Sequence, residues 1–198
     1  MIGSRRLVVH GPPALTLAAC FDKPCEERNP AQKAFLDGLK SLAKPALASG
    51  NPLQIEEAAR QSVALAEKVG TFSEWCGTLA RIEGTAQKVS VTVDVGRQVS
   101  FYAFNDWTLA FAGSVLDLFS TRSREPAPPG LSEEAIAALK ALRLGERVSL
   151  SGRMGQIAGS GLLDLSRLFG KGEAEHRQFL QTPRFVARIE ALTVERKK

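Results

Sequence analysis

Histidine is almost absent from this chain of 198 residues: only His10 and His176 occur. Neither stands at a ligand spacing from Cys, Asp or Glu, which removes histidine-built metal clusters and most histidine-based catalysis. Cysteine is scarce as well, at three residues, too few for a scaffold stapled by disulfides. The 17 Gly and 10 Pro are scattered, and 44% of the residues are hydrophobic, which excludes collagen-like and disordered chains. Charge of one sign is also lacking, because 26 basic residues face 21 acidic ones. Residues 71–198 hold 17 basic and 14 acidic residues, a surplus too mild to demand a polyanion. The length suits one domain plus an appendage, with enough chain to bury a core unaided.

The N-terminus carries a recognisable order. Arg5 and Arg6 precede a mostly apolar run from Leu7 to Leu17, eleven residues long and too short for a bilayer-spanning helix. Leu17-Ala18-Ala19-Cys20 follows. A charged start, a short apolar run and small residues before a break form the pattern of a secretory signal. The tetrad resembles the lipobox of bacterial lipoproteins. That resemblance implies a signal over residues 1–19, lipidation of Cys20 and attachment to a membrane of the cell envelope, on its periplasmic or outer side. His10 and Pro12-Pro13 interrupt the apolar run, so a cytosolic N-terminus is the alternative. With Cys20 lipidated, Cys25 and Cys76 are left as an even pair where disulfides are permitted; two free cysteines in a cytosolic protein would give the same count.

Residues 20–70 read as a lipid-anchored helical hairpin. Asn29-Pro30-Ala31-Gln32 and Asn51-Pro52-Leu53-Gln54 share one pattern, in which Asn caps, Pro fits the first helical position and Gln completes a capping box. Phe35, Leu36, Leu39 and Leu42 form one apolar face, with Pro45 ending or kinking that helix; Ile55, Ala59, Val63 and Ala66 form the other.

From Thr71 the apolar period becomes two. Trp75 to Ile82 reads as a first strand containing Gly77. Val89, Val91, Val93 and Val95 then alternate with Lys88, Ser90, Thr92 and Asp94, the pattern of a half-buried strand. Gly96-Arg97-Gln98 turns into a third strand, Val99 to Asn105. A fourth runs from Leu144 to Arg153 and a fifth from Phe185 to Val194. A helix opened by Ser132-Glu133-Glu134 lies between the third and fourth. The fold class is therefore α+β, mostly β: an N-terminal helical hairpin, then over residues 71–198 a five-stranded OB-type barrel with a helical insertion between strands 3 and 4. Trp75-x-Gly77-x-Leu79-x-x-Ile82, the valine hairpin and Leu144-Gly145-Glu146-x-Val148-x-Leu150-x-Gly152 resemble the anticodon-binding-like OB domains of short bacterial envelope proteins.

Residues suited to catalysis are few. Gly170-Lys171-Gly172 lacks the Ser or Thr of a phosphate loop. His176, in the charged run Glu173 to Arg177, reads as part of a solvated loop. No cofactor or metal is implied. The best candidate ligand face follows from OB geometry: with Val99, Phe101 and Ala103 inside, Tyr102 and Phe104 point outward beside Lys88, Ser90 and Thr92, able to stack bases or grip a sugar or peptide. Alternatively, residues 108–143 cover Tyr102 and Phe104 as a second core. The expected function is that of an envelope lipoprotein: a non-catalytic binding or assembly module, with a membrane and a protein or envelope ligand as partners. The alternative is a cytosolic OB protein binding single-stranded nucleic acid.

Overall fold

Asparagine and proline set the starts of the two long helices. A computed structural model describes residues 25–85, 88–105, 130–154 and 172–195, excepting the Cys25 side chain. The signal segment, Cys20, the apolar stretch 109–119 and the leucines at 162–168 lie outside the described residues. A short turn, α1 (Cys25–Arg28), leads into α2 (Pro30–Ser49). Asn29 is extended, and its Oδ1 accepts from the backbone N–H of Ala31 and Gln32 at 3.0 and 3.1 Å. Asn51 caps α3 (Pro52–Val69) in the same way through the Leu53 N–H. Pro45 does not end α2, which continues to Ser49. Its fixed φ is compatible with helical backbone, and Ala46 beyond it is buried.

Five strands follow: β1 (Thr71–Gly84), β2 (Val89–Gly96), β3 (Val99–Phe104), β4 (Arg147–Met154) and β5 (Arg184–Val194). They close in the order β1-β2-β3-β5-β4, with β4 returning to β1. Among the described strand pairs only β3–β5 is parallel. The architecture is thus a closed, mixed, OB-like barrel with helices packed on it. Helices hold at least as much of the described chain as strands, so "mostly β" gives way to an even mixture. The first strand begins at Thr71 rather than Trp75, because a bulge at Ser73–Glu74 lets the ladder to β4 resume beyond it. The fourth begins at Arg147 rather than Leu144: Gly145 is left-handed (φ 84°) and turns the chain there, leaving Leu144 exposed.

Between β3 and β4 lies α4 (Glu133–Leu139), capped by Ser132, whose Oγ accepts from the Ala135 N–H. Between β4 and β5 lies α5 (Glu173–Gln181). The charged run around His176 is therefore helical, not a loop. Glu173 and Glu175 stand in its first turn, Arg177 pairs with Glu173, and Phe179 and Leu180 are buried, so dipole, ion pair and packing all favour helix.

The core is aromatic where the barrel meets α2. Phe35 sends its ring to 5.3 Å from Trp75 and 5.7 Å from Phe185, while Phe101 lies 5.7 Å from Trp75 and 5.0 Å from Phe72. One contiguous core includes these rings, the inward valines of β2 and the apolar faces of α2 and α3. Glycine is required where strands crowd. A Cβ on Gly152 would stand 2.0 Å from the Arg188 carbonyl oxygen, and one on Gly77 2.6 Å from that of Asp94.

Candidate ligand-binding site

The outward face of the β2–β3 hairpin is where OB geometry points first. Ser90 pairs with Phe104 and Thr92 with Tyr102 across the ladder. The Tyr102 and Phe104 rings lie 5.5 Å apart, tilted by 38°, within the range for a favourable aromatic pair. Phe104 is only 6% exposed and Ser90 2%. Thr92 and Tyr102 are half-buried, and Lys88 is exposed at the strand end. Thus Lys88, Thr92 and Tyr102 are the members that solvent reaches. Residues 106–129, most of the segment expected to cover this face, lie outside the described residues. The arginines nearby do not form a free cationic track: Arg81 bonds Glu83, Arg97 bonds Asp37 and Arg153 bonds Glu190.

A second feature was hidden from sequence reasoning. The ladder between β1 and β2 runs only as far as Thr78 and Asp94, and beyond it the strands part. Gln32 fills that gap. It is fully buried; its Nε2 donates to the carbonyls of Cys76 (2.6 Å) and Val95 (2.8 Å), and its Oε1 accepts from the Cys76 N–H (2.9 Å). The side-chain amide stands in for a peptide group of a missing strand, and it is not the capping-box residue its position suggested. One turn earlier, Asn29 Nδ2 donates to the carbonyls of Ser73 (3.0 Å) and Glu74 (3.3 Å). Asn29 therefore caps α2 with its oxygen and holds the β1 bulge with its nitrogen. Within that bulge Glu74 is left-handed (φ 54°), and its N–H donates to Ser151 Oγ at 2.9 Å. Cys76, beside this seam, is disulfide-bonded. The Cys25 side chain and Cys20 lie outside the described residues.

The third feature is a groove of about 510 Å³ between α2, the β2–β3 turn and the junction of α5 with β5. Its floor is apolar: Leu36, Leu39, Val99 and Leu180 are buried there, with Ala43 and Leu47 along one side. Lys40, Lys44, Arg97 and Gln98 edge it. Just outside, Asp37 is hydrogen-bonded by Lys33 and Arg97, which together hold its carboxyl at about 2, against an ordinary 3.8. That carboxylate stays charged through the physiological range and ties the turn to α2.

Among the described residues, no group of three or more His, Cys, Asp or Glu could hold a metal ion, and no helix is long and apolar enough to cross a membrane. The groove was missed in sequence because its walls come from positions 36–47, 97–99 and 180–183; the spacing of Lys40 and Lys44 among the leucines of α2 was the signal available. No protein-family model, curated protein or solved structure matches the chain.

Proposed function

We propose that this protein is an exported envelope lipoprotein, anchored by lipid on Cys20, which acts as a non-catalytic binding or assembly module built on an OB-type barrel. The observation that carries the proposal is the disulfide at Cys76. Structural disulfides persist in oxidising compartments outside the cytosol, and export by a signal over residues 1–19 puts the chain in one. Cys25 is the proposed partner of Cys76. It opens α1, and Asn29 and Gln32, close after it, bond Ser73, Glu74 and Cys76. The helices α2 and α3 then link anchor to barrel, with α2 seated on the barrel's aromatic core.

Mass spectrometry of protein taken from native envelopes tests the proposal directly. A mature chain beginning at an acylated Cys20 is expected, and Cys20→Ala should leave the protein unprocessed and without lipid. An intact Met1 and no acyl group would overturn it. The tilted Tyr102–Phe104 pair gives one observation in favour of a single-stranded nucleic-acid binder. Such a binder loses about 1 to 3 kcal/mol for each stacking ring removed, and its affinity falls steeply with salt. Burial of Phe104 and Ser90 favours the other outcome: Phe104→Ala lowers the melting temperature, and oligonucleotide binding stays weak at every salt concentration.

A further inference from the structure

We infer that the groove beside α2 is a binding site for a small single-chain amphiphile with an anionic head, an acyl chain ending in a carboxylate. The chain lies along Leu36, Leu39 and Val99, and the head sits between Lys40 and Lys44. Shape, charge and the turn at the groove's edge all bear on this.

The volume of about 510 Å³ falls in the range of small-molecule sites. From Leu36 to Leu47 the groove follows α2 for roughly 16 Å, at about 1.5 Å per residue. A helical peptide of that length, about 10 Å across, would lie mostly outside a groove of this volume. A narrow flexible chain meets no such limit, and it covers the apolar floor without bringing unpaired backbone groups with it.

Charge selects the head group. Lys40 and Lys44 both line the groove and lie one helical turn apart. Among the described residues neither has an ion-pair or hydrogen-bond partner. Like charges at this spacing destabilise a helix, and an anion held between them turns that repulsion into attraction. The remaining cation, Arg97, already bonds Asp37, so it serves as wall and leaves the two lysines to take the ligand. Among the described residues no carboxylate lines the groove, which disfavours a cationic head.

The turn closes one end. Arg97 (φ 51°) and Gln98 (φ 66°) are both left-handed, a conformation that asparagine and glycine adopt more readily. It presents both side chains at the groove edge. Strained non-glycine backbone of this kind is concentrated at binding sites.

The site does not depend on export or anchoring, so its test stands apart from that of the mature N-terminus. Dodecanoate and dodecyltrimethylammonium, which share one tail and carry opposite heads, are titrated calorimetrically into the full chain below their aggregation concentrations. Dodecanoate is expected to bind one per chain, at least about tenfold more tightly than the cation. The double variant Lys40→Glu, Lys44→Glu should lower dodecanoate affinity by about tenfold or more. Ala43→Phe, which fills the groove from the side of α2, should remove binding with the melting temperature kept. Dodecyl phosphate, run beside dodecanoate, tests the head itself: weaker binding supports the carboxylate, and tighter binding would overturn it in favour of a phosphate lipid. Equal affinity for both heads, dodecanoate binding that survives both variants, or no binding of any of the three would overturn it.

Discussion

Gln32 engages its whole amide with backbone atoms 44 and 63 positions away. Replacing it by leucine leaves the Cys76 N–H and two carbonyls buried without partners, and each such group costs about 1 to 3 kcal/mol. Gln32→Leu should therefore lose about 3 kcal/mol or more in urea unfolding. Gln32→Glu separates shape from hydrogen bonding. Its carboxylate can still accept from the Cys76 N–H, but it faces two carbonyl oxygens, so burial and repulsion raise its folded pKa. The protonated form is then the one that fits. The variant should melt closest to the wild type below about pH 4, the unfolded value, and fall away as pH rises through the higher folded value. A constant deficit across that range would refute this role for the amide. In sequence, Asn-Pro-x-Gln looked local. The same glutamine serves a capping box or a distant strand equally well, and only the folded chain decides between them.

At the scale of elements, the alternating valines of β2 were legible because each buries one face against the barrel core, and a period of two has no helical equivalent. The turn after them was legible as a turn, but its strain was not, since nothing in Gly96-Arg97-Gln98-Val99 announces two left-handed residues. Gln98→Gly should raise stability by about 0.5 to 1 kcal/mol, the relieved strain exceeding the added backbone freedom of the unfolded chain; a lower urea midpoint would contradict this. Asp37 joins this turn to α2. Because Lys33 and Arg97 favour its ionised form in the folded state, its contribution is present above the ordinary value of 3.8 and is lost as pH falls through about 2. Asp37→Asn should therefore melt below the wild type at neutral pH, and the gap should close between pH 4 and 2. Phe35 marks the other attachment of α2. Phe35→Ala opens a cavity against Trp75 and Phe185 and should cost about 3 to 5 kcal/mol in urea unfolding. The run Glu173 to Arg177 reads as a loop because four polar residues and one alanine show no apolar period, whereas the apolar pair that buries α5, Phe179 and Leu180, comes only near the helix end.

At the scale of the molecule, the strand count could be read because each strand carries its own pattern. The groove could not, since three remote segments supply its walls. The ligand face suggested by OB geometry does come together as a pair of adjacent strands, yet the burial of Phe104 and Ser90 depends on packing that no local pattern encodes. The disulfide acts at this scale also. Closing a long loop restricts the unfolded chain, and reduction should lower stability by about 2 to 4 kcal/mol. Urea unfolding with and without reductant, alongside Cys76→Ser, measures it. An unchanged midpoint would mean that the bond constrains nothing in the unfolded ensemble.

The parallel pairing of β3 with β5 governs when the molecule can become itself. β5 is the fifth strand in sequence, yet it sits between β3 and β4 and is the sole strand joining them. A nascent chain that has produced β1 through β4 holds two unsatisfied sheet edges and an aromatic core that still lacks Phe185, and it cannot close them until β5 arrives. Contacts of such long sequence separation place folding in the slow range, milliseconds to seconds, for barrels of this kind. During synthesis the protein is thus an open ribbon with sticky margins, and a stop codon or a slow translation site before Arg184 would yield a species prone to aggregate, not a shortened barrel.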